Sequence, residues 1–245
     1  MRHMRRYSAL MLLLWLSLRC SSQTIPLSDS SSPDQIRNGA LKNFYNGLKE
    51  NLPFYSGAEY TGHGQGIQGH PFFPDESIKS GHLYYDGIHY SNIPLQYDLV
   101  DDAVILMDHT RSYFIKLNSQ KVDSFSIDKK IFVRPGANAA GEQDNTLYQQ
   151  LYHGSIRVLV RREKKVLYRT TAERTIASYK QYNSYYIIKN GEWHQIRSTD
   201  QAIQVMKEKK NELKQFVKER NWRFSKEPET ILSAIARIYE NQQPG

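Results

Sequence analysis

The sequence predicts an α+β protein that is predominantly antiparallel β, a curled β-meander with helices at its two ends. Three observations carry that expectation. Aromatic and β-branched residues crowd the middle of the chain in short runs broken by Gly, Asn, Asp and Pro. Two of the breaks are Asp86-Gly87 and Asn190-Gly191, dipeptides suited to type I′ hairpin turns because both central residues must take positive φ. Helical periodicity returns only near the C-terminus, where Ala202, Ile203, Met206, Leu213, Phe216 and Val217 recur on one face.

The first residues predict export. Arg2, Arg5 and Arg6 form a basic stretch, Ala9 to Leu18 a Leu-rich apolar run, and Ser21 and Ser22 a small-residue site before Gln23. That order is the signature of a secretory signal peptide, here residues 1–22. The run is ten residues long, well short of the roughly 20 that span a bilayer, so the mature chain is expected to have no transmembrane segment. Cys20 could accept a lipid in a bacterial lipoprotein, but Arg19 stands where a small residue is needed, and cleavage after Ser22 is the better reading. The only cysteine then leaves with the signal, and the mature chain has no disulfide, thiol nucleophile or thiolate ligand.

Trimming changes the charge. The whole chain carries 33 Lys plus Arg against 25 Asp plus Glu, and four of those cations (Arg2, Arg5, Arg6, Arg19) precede Gln23, leaving a mature excess of four. A field that weak removes the main support for nucleic-acid binding.

Residues 23–33 are Ser-rich and Pro-punctuated, with too little apolar content to order themselves, and read as a disordered leader. Residues 34–245 read as one β-rich domain. Ile36, Ala40, Leu41, Phe44 and Leu48 predict a helix from Asp34 to Lys49, started by Pro33. Hairpins are expected at His82–Ser91, Leu147–Val160 and Tyr185–Ile196, with further strands at Leu95–Leu99, Ala103–Met107, Ser112–Leu117, Val122–Ile127 and Ile131–Arg134. Strands of five to six residues suit a meander that curls into an incomplete barrel or a two-layer sandwich; a membrane barrel needs roughly nine to eleven per strand. A helical hairpin is expected from about residue 199. Ser198, Thr199 and Asp200 are its cap candidates, Ser225 and Pro228 start its second helix, and Ile231, Leu232, Ile235, Ile238 and Tyr239 are that helix's apolar stripe.

The segments Tyr55-Ser-Gly-Ala-Glu-Tyr60, Gly69-His-Pro-Phe-Phe73, Gly81-His-Leu-Tyr-Tyr-Asp-Gly87, Pro94-Leu-Gln-Tyr-Asp98, Leu151-Tyr-His-Gly154 and Tyr186-Ile-Ile-Lys-Asn-Gly191, followed by Lys/Glu-rich helices, give the chain an order of pieces that resembles an uncharacterised family of exported bacterial proteins of unknown function. The resemblance implies export and a bacterial origin. It implies no catalytic residue.

Two constellations are candidates for function. His63, His70, His82 and His89 fall within 27 residues. With Asp86-Gly87 as the turn, Tyr84 faces His89, so His82 and His89 are diagonal neighbours on one face. His70, His82 and His89 are the candidate metal ligands, with Asp75 or Glu76 able to complete the set; the competing reading is exposed strand residues beside tyrosines. Seventeen tyrosines are the second feature. Tyr84, Tyr185 and Trp193, with Tyr186 adjacent, are the candidate binding surface, because a row of such rings stacks on sugars or peptide. The competing reading is ordinary strand formers on a half-buried face.

Gly62-His-Gly-Gln-Gly66 lacks the Lys-Ser/Thr and the following helix of a phosphate loop. Nucleophile-elbow, zincin and calcium-loop motifs are absent, and no cofactor is implied. The leading expectation is a non-catalytic periplasmic or envelope-associated module that binds an envelope protein or polymer. A metal- or carboxylate-dependent hydrolase of envelope polymers and a small-molecule binder enclosed by the curled sheet are the alternatives.

Overall fold

Asp86 and Gly87 take φ of 55° and 75°, and Asn190 and Gly191 take 54° and 82°, so both dipeptides make the left-handed turns that join neighbouring strands. Around them the computed structural model describes residues 57–108, 112–136 and 145–240. The expected signal peptide (1–22), leader (23–33) and helix over 34–49 lie outside the described residues.

Thirteen strands form one unclosed sheet. They are β1 (Ala58–Glu59), β2 (Ile67–Gln68), β3 (Phe72–Phe73), β4 (Lys79–Tyr85), β5 (Ile88–Asp98), β6 (Ala103–Met107) and β7 (Phe114–Lys116). After these come β8 (Val122–Ile127), β9 (Lys130–Val133), β10 (Tyr148–His153), β11 (Ile156–Thr170), β12 (Thr175–Lys189) and β13 (Glu192–Ile196). The ladder order is β1-β7-β6-β5-β4-β8-β9-β10-β11-β12-β13, with β3 added to β5 and β2 to β12. Every pairing is antiparallel except β2 with β12.

Two strand expectations are corrected. The return of the first hairpin and the strand expected at Leu95–Leu99 are one continuous strand, β5, because Asn92 takes a left-handed φ of 57° and absorbs a register shift opposite Gly81 and His82. A Cβ at Gly81 would collide with the carbonyl oxygen of Ser126, so the close approach of β8 there requires glycine. The second correction concerns β11 and β12. They run to 15 residues each and stay paired from Ile156↔Lys189 out to Thr170↔Thr175, far beyond the Val160 and Tyr185 limits expected.

The sheet curls hard. Tyr97 of β5 lies with its ring centroid 5.0 Å from that of Phe132 on β9, although β4 and β8 lie between those strands. In a flat sheet three ladder spacings would separate the two strands by roughly 14 Å. Phe125 stacks on Phe132 at 4.7 Å, and Phe73 closes on it edge-to-face at 5.2 Å, so aromatic rings occupy the concave side. The edge of the curl comes round to β11, where Lys164 N–H donates to the carbonyl of Leu99 at 2.9 Å. This seam favours the incomplete barrel over the sandwich.

The concave face continues into a second core. Ile156, Val158, Ile187 and Ile196 pack there against three helices: α1 (Thr199–Val205), α2 (Lys210–Glu219) and α3 (Pro228–Tyr239). Ser198 caps α1 through its hydroxyl, and Pro228 opens α3. Ser225 is not the cap expected; Glu227 holds that position without a side-chain bond. Arg162 joins the two cores. Its buried guanidinium donates to Gln149 at 2.6 Å, Asn183 at 3.3 Å and Glu229 of α3 at 2.7 Å. No helix among the described residues is long and apolar enough to cross a membrane.

Candidate binding face of the long hairpin

Directly paired residues on neighbouring strands point to the same side, so the register sorts the hairpin's two faces. On β11, Val158 and Arg162 face the cores. Arg157, Leu159, Arg161, Glu163, Lys165, Leu167 and Arg169 therefore share the convex face. Their partners on β12 are Ile188, Tyr186, Ser184, Tyr182, Lys180, Ser178 and Ile176. Trp193 of β13 pairs with Ile188 and joins that face. The result is a cation at every fourth residue of β11 (Arg157, Arg161, Lys165, Arg169), about 13 Å apart along the strand, with aromatic rings between the rows.

This face leaves the core behind as it goes outward. From Lys165 to Ser184, no residue is buried; Leu167 on this face is 40% exposed and Tyr168 on the opposite face 72%. The charges are incompletely matched. Glu163 alone serves Lys165 at 3.3 Å and Arg161 at 3.8 Å. Lys165 stands directly opposite Lys180, an arrangement of like charges that costs stability in an antiparallel pair. Both ammonium groups sit near the Tyr182 ring, 5.7 and 5.5 Å from its centroid. Arg157 has its Nε buried without an acceptor, and burial pushes the guanidinium pKa down. At the base of the track, Trp193 meets Tyr186 at 5.7 Å and Tyr148 at 5.4 Å.

The expected binding residues divide. Trp193 and Tyr186 lie on the convex face, but Tyr185 points to the other side, edge-on to Phe224 at 5.8 Å in the helical core. Adjacent strand residues alternate faces, so the pair could not serve together. Tyr84 sits on a different hairpin, 45% exposed and stacked on His89 at 4.4 Å.

The expected histidines divide too. His82 and His89 are diagonal neighbours with stacked rings 5.5 Å apart, as the hairpin register requires. Burial and then the neighbouring His82 lower the pKa of His89. His70 instead stands at the seam, where Lys164 Nζ donates to its carbonyl at 2.9 Å and lies 3.4 Å from Nδ1. The three do not converge as a ligand set. Among the described residues the one such cluster is His63, Asp98 and Asp101, with ligand atoms all within 4.8 Å.

That cluster holds the strand-poor segment between β1 and β3 across the seam. The fully buried Asp98 accepts from Tyr60 Oη and His63 Nε2, each at 2.6 Å, and from the Val100 and Asp101 amides at 2.7 and 3.2 Å. Asp101 faces His63 Nδ1 at 3.8 Å and is paired with Lys116 at 2.7 Å. Burial, then the bond to Asp98, raises the Tyr60 pKa. Asp98 accepts four hydrogen bonds here, two of them from Tyr60 and His63, so it ties that segment to the end of β5 as a clamp. Its partners lie 35 and 38 residues apart in the chain, with no spacing signal to find them. The extended hairpin did leave a signal: basic residues at 157, 161, 165 and 169 within a Val-, Leu- and Tyr-containing stretch.

Comparison of the chain with protein-family models, curated proteins and solved structures gives no match.

Proposed function

We propose that this is an exported bacterial protein of the periplasm or cell envelope whose role is non-catalytic binding, and that the long β11–β12 hairpin is the element that engages its partner. Export draws support from the basic stretch, apolar run and small-residue site that open the chain.

The observation that carries the reading is the hairpin's outer half. Its residues bury little, so they contribute little to the hydrophobic stabilisation that holds the rest of the sheet. They nonetheless keep an unbroken ladder to Thr170↔Thr175 and carry four cations (Lys165, Arg169, Arg174, Lys180) against one acid (Glu173) between Lys165 and Lys180. An ordered, charged, aromatic arm beyond the core suits an interaction with something larger than a metabolite.

Deleting the arm tests this. Lys164 pairs with Gln181, so joining those positions through an Asn-Gly turn removes residues 165–180 and leaves both cores in place. The mature wild-type chain is expected to be retained by envelope fractions and the shortened chain to pass through. Equal retention of the two, with matching thermal melts, would refute the assignment of the arm.

A second reading, a small-molecule binder, has one feature in its favour. Leu99, Val100 and Asp102 face Arg161–Val166 across a depression of about 350 Å³ at the seam, within the range of ligand sites. This lies at the edge of the curl; the concave centre is occupied by Tyr97, Phe125 and Phe132.

A further inference from the structure

We infer that the convex face of the β11–β12 hairpin is a track for a linear acidic glycan, a polymer of sugars bearing carboxylate or phosphate groups. This rests on the arm being the binding element and adds the chemistry of what it binds.

Four features point to that class. First, the cations are periodic. Arg157, Arg161, Lys165 and Arg169 occupy one face at every fourth residue, covering about 40 Å of extended strand. A compact anion needs converging charges, whereas a regular row suits charges repeated along a chain. Second, the row is short of internal acids. Lys180 and Arg169 have no ion-pair partner among the described residues, and Glu163 is shared between two cations. Third, Lys165 faces Lys180 across the ladder, and an anion placed between them turns that repulsion into attraction. Local arrangements that weaken a fold are commonly kept where they serve binding.

The fourth feature selects glycan over other polyanions. Tyr182 lies between the two lysines, and Tyr186 and Trp193 continue along the same face. Each ring offers an apolar body on which a sugar face can rest and a polar tip for its hydroxyls. Cations alternating with such platforms match a polymer that alternates charge and ring. Nucleic acid has the same two chemistries, but export would place the chain among envelope glycans, and an acidic peptide gives the rings no flat surface.

The test immobilises polygalacturonate, alginate and hyaluronate as polyuronate probes, with dextran, poly-L-glutamate and single-stranded DNA beside them. The mature protein is expected to bind at least one polyuronate, with affinity falling as salt rises, and to bind poly-L-glutamate and DNA at least tenfold more weakly. Lys165→Glu/Lys180→Glu is expected to reduce that binding about tenfold or more through reversed charge. Tyr182→Leu, which keeps every charge, is expected to reduce it by about threefold or more through the lost platform. Thermal melts of both variants should match wild type, since all three positions are exposed.

Binding to no polyuronate, preference for poly-L-glutamate or DNA, or indifference to both substitutions would overturn the inference. The two levels separate cleanly. If envelope retention needs the arm but the polyuronates are ignored, the glycan is wrong and the binding role stands. If the arm-deleted chain is retained as well as wild type, the role itself falls.

Discussion

Lys164 and Leu99 are joined by a backbone hydrogen bond of 2.9 Å although β4, β8, β9 and β10 separate their strands in the ladder order. Laid flat, five spacings would set them roughly 24 Å apart. The bond therefore measures how far the sheet has curled, and the Lys164 side chain reinforces it by donating to the carbonyls of His70 and Phe72, each at 2.9 Å.

Lys164→Met tests that reinforcement. The stem is kept, but two carbonyls lose a charged donor, and partial burial has already lowered the lysine's pKa. Stability should fall on the order of 1–3 kcal/mol, read from the urea midpoint. Amide exchange at Lys164 should accelerate more than exchange in the β4–β5 hairpin. Lys165→Met, one residue along and exposed, should change stability by no more than about 0.5 kcal/mol. Equal effects from the two substitutions would deny the seam its role.

Asp102 gives a pH dependence of definite sign. Burial raises its pKa above the ordinary 3.8, against the opposing hydrogen bonds from the Tyr97 hydroxyl and the Leu147 amide. A raised native pKa means the native state holds the proton when the unfolded chain has released it. The contribution is therefore greatest below the unfolded pKa and is lost as pH rises through the native one. Asp102→Asn removes this titration. It also turns an amide nitrogen toward one of two donors, costing about 1–3 kcal/mol. Urea midpoints from pH 3 to 7 should show the wild-type advantage over Asp102→Asn shrinking as pH rises; a constant difference would contradict the assignment.

His89 should titrate below the ordinary 6.5 because burial, and secondarily His82, disfavours its imidazolium. Replacing His82 with Gln removes only the second cause. An NMR titration of the variant should find the His89 pKa moved part of the way up. Full recovery of the ordinary value would show that burial is not the principal cause.

How much of this was legible beforehand depends on the distance over which each feature is encoded. Asp86-Gly87 and Asn190-Gly191 act locally, so both turns and the stacking of His82 on His89 follow from dipeptide chemistry and strand alternation. The outer half of β11–β12 is not legible because its charged residues break the apolar alternation that marks a half-buried strand, and Glu163, Lys164, Lys165, Ala172, Glu173 and Lys180 lower the strand propensity there. The side on which Tyr185 falls depends on the register to Ile196, which fixes it facing the helices; choosing Tyr185 over Tyr186 could not be settled by composition. The clamp of Tyr60 and His63 on Asp98 joins residues with no periodic relation, and only the curl of the sheet brings them together.

Gly154 and Glu240 couple the sheet to the end of α3 in a way that a double-mutant cycle can isolate. Glu240 accepts from the Tyr152 hydroxyl and the Ser155 hydroxyl at 2.8 Å each, and from the Ile156 amide at 3.0 Å. Burial would raise its pKa, but these donors outweigh that and lower it. Its stabilisation is therefore present above the ordinary Glu range and lost as pH falls through the lowered value. The carboxylate lies so close over Gly154 that a Cβ there would strike both oxygens. Gly154→Ala should thus displace Glu240 from three donors and cost about 1–3 kcal/mol, and Glu240→Ala should cost a similar amount. In the double variant the methyl has nothing left to displace, so the combined loss should fall short of the sum by at least about 1 kcal/mol. Additive losses in urea denaturation would mean that the alanine acts through the backbone alone and that Glu240 does not set the requirement for glycine.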